Sequence, residues 1–117
     1  MVSHAPIYKL TPRTDWLEAE AKGRFEGAPV DLADGYIHLS TADQLTETVD
    51  KHFAGQSDLY VAAVDLEAIG NDMTWEESRG GQLFPHIYNG PLPLETVLSY
   101  GPLERDDAGQ VKLPVAG

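Results

Sequence analysis

The run Leu59-Tyr60-Val61-Ala62-Ala63-Val64-Asp65-Leu66 constrains the fold more than any other feature. A strand with one wet face alternates apolar and polar positions, whereas this run is almost continuously apolar. It therefore predicts a central strand, buried on both faces and flanked by other strands. A chain of 117 residues is enough to surround one such strand, since it buries about two-thirds of its unfolded surface. One domain over residues 1–117 is expected, with an ordered core at about 6–103 and a polar, weakly ordered tail from 104. Cysteine is absent, which removes disulfides, thiolate zinc sites, iron–sulfur clusters and cysteine nucleophiles together.

The remaining segments sort themselves around that strand. Ile7-Tyr8-Lys9-Leu10 reads as a short strand ended by Thr11-Pro12. Thr14 is placed to cap a helix over 15–22, with Trp16, Leu17 and Ala21 as its apolar face and Gly23 at its end. Residues 24–34 read as a loop, and Asp34-Gly35 as a turn. Tyr36–Ser40 alternates as a strand. Thr41 and Gln44 have capping-box spacing before a helix that lines up Leu45, Val49 and Phe53 on one face. Residues 70–82, polar and carrying Gly80-Gly81, read as a mobile loop. Phe84–Tyr88 reads as an edge strand because Pro85 cannot donate to a ladder, and Thr96–Tyr100 as the last strand. The order β-α-β-α-β-loop-β-β predicts an α+β fold with two early helices.

Charge narrows the partners. The net charge is −11, with −5 in residues 1–58 and −6 in 59–117. A nucleic-acid binder concentrates lysine and arginine where phosphates lie, and here the basic residues are scattered. Neither nucleic acid nor an anionic membrane surface is expected as a partner. No apolar run approaches the roughly 18 residues of a membrane span, and the first residues lack a signal-peptide pattern. A soluble, cytoplasmic domain is expected; the number of copies that associate is not set by these features.

Two strands carry residues with chemical potential. Alternation places Ile37 and Leu39 toward the core and Tyr36, His38 and Ser40 on the opposite face. His38 there can bond a ligand hydroxyl or carry a proton near neutral pH; the pattern also fits a half-exposed face or a hydrogen-bonded core histidine. Phe84, His86 and Tyr88 likewise share a face, a slot where a planar ring could stack or a plain aromatic cover for the core. Glu76 and Glu77 in Trp75–Arg79 are carboxylates able to steady a developing cation, or ordinary solvated acids. No histidine pair has the i, i+4 spacing of helix-borne metal ligands, so no metal is expected. No G-x-S-x-G elbow, Walker loop or G-x-G-x-x-G occurs.

The stretches Asp34–Thr41, Trp75-Glu76 and Phe84–Tyr88 together resemble the small bacterial family known only as domain of unknown function nine-five-two, over about residues 6–103. That family is placed with the ADP-ribosylation fold, so the resemblance implies a compact α+β domain with a split, antiparallel-rich sheet around a cleft for NAD. More distantly, Tyr8–Thr11, Tyr36–Ser40 and Val64-Asp65 are similar to three motifs of the NAD-dependent RNA 2′-phosphotransferases. His38, Leu39 and Ser40 match directly, while Lys9 stands in place of a histidine and no arginine precedes Tyr36.

The resemblance implies two alternatives. In the first, the cleft binds NAD or a related nucleotide as an ADP-ribosyl transferase does. His38 would then bond the ribose, Tyr36 or Tyr88 stack on nicotinamide, Ser40 and Thr41 position the strand end, Glu76 or Glu77 stabilise the ribosyl cation, and Arg13 or Arg24 meet the pyrophosphate. In the second, the same fold binds another small metabolite or a protein without catalysis, with His38, Phe84, His86 and Tyr88 as recognition groups.

Overall fold

The computed structural model describes residues 6–56, 58–69, 73–77, 81–88 and 90–114. The expected central strand is β4 (Leu59–Val64), which lies between β1 (Ile7–Pro12) and β8 (Val97–Pro102) and runs antiparallel to both. Its faces point into two separate cores. Ala62 and Val64 join Ile7, Trp16, Phe25 and Leu92, while Val61 and Ala63 join Tyr8, Leu10, Leu45 and Val49. A strand covered on both faces has no position at which a polar side chain would meet water, hence the unbroken apolar run.

A second antiparallel sheet has the order β3 (Ile37–His38), β6 (Leu83–Ile87), β5 (Met73–Glu77). A two-stranded pair joins β2 (Arg24–Phe25) to β7 (Leu92–Pro93). The two larger sheets meet where Tyr8 and Ser40 exchange backbone hydrogen bonds, Tyr8 N–H to Ser40 O at 2.7 Å and Ser40 N–H to Tyr8 O at 2.8 Å. The architecture is α+β with antiparallel sheets, as expected. Among the described residues no helix is long and apolar enough to cross a membrane.

Five segments depart from expectation. Residues 24–34 are not a loop: they hold β2 and a helix, α2 (Pro29–Asp34), which follows α1 (Arg13–Lys22). Pro29 suits the first helical position because its missing N–H would have no partner there. Asp31 Oδ2 accepts the Ala28 N–H at 2.8 Å, and Gly35 closes the helix in the left-handed region at φ 86°. With α3 (Leu45–His52), three helices rather than two precede β4; α4 (Leu66–Ile69) follows it. Helix α1 starts before Thr14, which makes no cap, and it buries Trp16 and Ala19, leaving Leu17 and Ala21 exposed.

The expected loop 70–82 contains β5, an antiparallel partner of β6; residues 70–72 and 78–80 lie outside the described residues. Consequently β6 is the middle strand of its sheet and not an edge. Pro85 is tolerated because β3 pairs only at His38↔His86 and Ile37↔Ile87, so the donor it lacks falls beyond the last ladder pair. Its carbonyl still accepts Leu39 N–H at 3.0 Å. The polar tail also folds back. Val111 is buried against Leu45 and Val49, its N–H bonds Thr46 Oγ1 at 2.9 Å, and Arg105 pairs with Asp50 at 2.7 Å.

Candidate functional site

The expected alternation of Tyr36–Ser40 holds: Ile37 and Leu39 are core residues, and Tyr36, His38 and Ser40 border a cavity of about 530 Å³. Phe84 and His86 of β6 line the same cavity. The cross-strand pair His38↔His86 sets the two imidazoles beside each other, with ring centroids 5.6 Å apart. Tyr36 packs against both, at 4.5 Å from His38 and 4.4 Å from His86, and lies 4.9 Å from Tyr88. Two strands separated in sequence thus assemble one aromatic cluster from four of the residues singled out above.

Each imidazole is held by carboxylate. His86 Nδ1 lies 2.7 Å from Glu76 Oε1, an oxygen that also accepts the Tyr88 hydroxyl. Glu76 reaches them because β5 runs beside β6. The hydrogen bonds from Tyr88 and then His86 hold the Glu76 carboxyl below its ordinary range, and the same Glu76 contact pushes the Tyr88 hydroxyl up to about 12. His38 lies between two acids, with Nδ1 2.7 Å from Asp31 and Nε2 2.9 Å from Asp34.

Asp31, 2% exposed, ties the wall together. It accepts hydrogen bonds from His38 N–H at 3.0 Å and from the Lys9 ammonium at 2.9 Å, besides its bond from the Ala28 N–H at the start of α2. Burial works to raise its carboxyl, but the His38 hydrogen bond and the Lys9 charge outweigh this and hold it at about 2. Lys9 is also buried. Desolvation pushes its ammonium down while Asp31 resists, and a further bond runs to His38 O at 2.9 Å.

Of the other expected residues, Ser40 reaches the cavity and lies 3.5 Å from Thr48 Oγ1. Glu77 alternates away from Glu76 on β5, on an exposed position. Arg13 faces Asp58 at 3.9 Å, Arg24 bonds Glu26 at 3.2 Å, and Thr41 gives its N–H to Gln44 Oε1 at 3.0 Å. None of these four lines the cavity, and neither do Glu76 and Tyr88, which touch its wall through His86 and Tyr36. Sequence reasoning missed Lys9, Asp31, Asp34 and the helix-borne His52 and Gln56, all at or behind the cavity wall. For Asp31 a signal existed, since Pro29-x-Asp31 is a helix-start pattern, with an acid in the first turn. Among the described residues no three histidines and acids are arranged to hold a metal. A smaller hollow of about 330 Å³, beside Trp16 and Tyr100, contains none of the expected residues.

The chain belongs to the family described as protein of unknown function (DUF952), whose model matches residues 10–100. It is similar to the crystal structure of protein CC0527 from Caulobacter crescentus, at 48% identity and a TM-score of 0.83, over 93% of this chain and 95% of that one. The solution structure of CC0527 is similar at 49% identity and a TM-score of 0.75, over 91% and 90% of the two chains. No curated protein matches.

Proposed function

We propose that the β3–β6 cleft of this cytoplasmic domain binds a small polyhydroxylated metabolite without phosphate, a sugar or the ribosyl part of a nucleoside. The observation that carries this is the pairing of an aromatic cluster with half-exposed carboxylates. Tyr36 and the two imidazoles line the cavity and offer flat faces to the C–H side of a sugar, while Asp34 offers an acceptor to its hydroxyls; Glu76 and Tyr88 support that wall from outside the lining, through His86 and Tyr36. A pocket of about 530 Å³ falls within the range of small-molecule sites. Neither nucleic acid nor membrane belongs to the proposal, since a net charge of −11 repels both.

NAD makes a second reading, supported by Glu76. A carboxylate beside stacked rings suits a ribosyl cation, and the resemblance to the ADP-ribosylation fold points the same way. The diphosphate fits less well. Lys9 is the only lysine or arginine among the described lining residues, and Asp31 already neutralises it. Arg13 and Arg24 lie elsewhere.

A thermal-shift series separates the readings. A ligand at about 100 times its Kd adds roughly 2.7 kcal/mol, a shift of about 10 °C in a domain this size. Ribose and nicotinamide riboside should stabilise the protein, and His38→Ala should remove the response. Stabilisation by NAD and ADP-ribose alone would favour the nucleotide, and no shift with any of them would remove both.

A further inference from the structure

We propose that the two imidazoles lining the cleft, each held by a carboxylate, are an acid and a base that interconvert aldoses and ketoses by proton transfer. The proposal rests on the sugar-binding reading above and assigns that site an activity. Its ground is an asymmetry between the histidines. Both His38 nitrogens face carboxylate oxygens, which only accept, so the doubly protonated ring is the form that satisfies both contacts. His86 has one carboxylate neighbour, at Nδ1. The Nδ1–H tautomer satisfies Glu76 and leaves a lone pair on Nε2, in a residue that lines the cavity. One ring is thus set as a proton donor and the other as an acceptor, 5.6 Å apart. That separation suits a pair of groups acting on adjacent atoms of one small substrate.

The substrate class is an open-chain α-hydroxycarbonyl compound. His86 Nε2 takes the proton from the hydroxyl-bearing carbon, and that C–H electron pair becomes the C=C bond of an enediol. The carbonyl π pair moves to oxygen, which receives the proton from His38 Nε2 as Asp34 gives way. In the return step the other enediol hydroxyl gives its proton back to His38, and its O–H pair forms the new C=O bond. The enediol π pair takes the proton from His86 at the former carbonyl carbon. Both rings end as they began, and no oxidant, reductant or metal enters the balance. Asp31 and Glu76 act as positioning residues that hold the two tautomers. Asp34, 48% exposed at the end of α2, has room to move aside and take a substrate hydroxyl.

The test follows C–H loss by proton NMR with the full chain in D₂O, using glyceraldehyde, ribose, xylose and glucose. Saturation-transfer NMR on the same samples reads binding. Exchange at the hydroxyl-bearing carbon, with ketose appearing, is expected at 10²-fold or more over buffer. His86→Gln should abolish exchange while sugar binding weakens but stays detectable, since Tyr36, His38 and Asp34 still line the cavity, and Glu77→Gln should change neither. Should His86→Gln fail to fold, Glu76→Gln replaces it, with exchange expected to fall about tenfold or more. Binding without exchange overturns the acid–base assignment and leaves the sugar reading standing. Exchange that survives His86→Gln also overturns it, and absence of binding by all four sugars overturns both.

Discussion

Replacing Asp31 by Asn tests the centre of the site wall with a change of almost no volume. The wild-type carboxylate receives Lys9 Nζ at 2.9 Å, Ala28 N–H at 2.8 Å, His38 N–H at 3.0 Å and His38 Nδ1 at 2.7 Å. The amide that replaces it keeps an acceptor but loses the charge, and strands a buried ammonium. Breaking a buried pair from one side costs about 3–5 kcal/mol, or roughly 15 °C of midpoint at about 4 °C per kcal/mol. Urea unfolding at pH 7, followed by fluorescence, measures this directly. Adding Lys9→Met should recover part of the loss, because the uncompensated charge is then gone. The pH profile carries a second signature. The Asp31 carboxyl sits at about 2 when folded against 3.8 as its ordinary value, a difference that corresponds to about 2 kcal/mol. A depressed carboxyl stabilises above its unfolded value, so the contribution is full at neutral pH. It is lost as pH falls from about 4 through about 2, and Asp31→Asn should lack that slope. A loss below about 1 kcal/mol at pH 7, or an unchanged acid limb, would refute the pairing as a determinant of the fold.

Leu45, fully buried in the second core, should cost about 2–5 kcal/mol on replacement by Ala, whereas Leu17→Ala on exposed α1 surface should stay within about 0.5 kcal/mol in the same urea titration. Ending the chain after Glu104 should lower stability by about 1–3 kcal/mol through loss of buried Val111, read as a lower urea midpoint at unchanged cooperativity. Tyr88→Phe removes the leading cause of the depressed Glu76 carboxyl. Its titration by carboxyl-detected NMR should therefore move upward, and an unmoved midpoint would place the hydroxyl elsewhere.

The parts of the fold carried by periodicity were readable from the residues. The apolar run at 59–66 predicted the middle strand, and i, i+4 spacing predicted the Leu45–Val49 face. Alternation alone put Tyr36 and His38 on one face, and Phe84 and His86 on another. What the pattern does not encode is register. That His38 would sit opposite His86, and that Glu76 rather than Glu77 would reach it, follow from pairings of β6 with strands on either side. One residue of slip in β5 exchanges the two glutamates. Polarity misled the reading at 24–34 and 70–82. Short elements whose polar side chains are satisfied by one another look like loops when partners lie far away in sequence.

Lys9 and Asp31 show the same limit at the level of charge. In sequence each is one more charged residue, and charged residues are rarely buried unless paired. The fold makes burial tolerable only by bringing β1 against α2, so that each offsets part of the other's desolvation penalty, and the pair then has acceptor capacity left for His38. The histidine that the strand pattern points to thus owes its orientation to an aspartate seven residues upstream, which no periodicity connects to it. A buried pair that also anchors a half-exposed histidine links two properties that can be measured apart. Stability depends on Lys9 and Asp31 together, whereas the hydrogen bonding of the His38 ring depends on Asp31 and Asp34. Asp34→Asn should accordingly leave urea unfolding within about 0.5 kcal/mol of wild type, since Asp34 is exposed, yet alter the ¹⁵N shifts of His38. If both observables moved together, the wall would be one rigid unit and His38 would have no independent freedom to exchange a proton with a ligand.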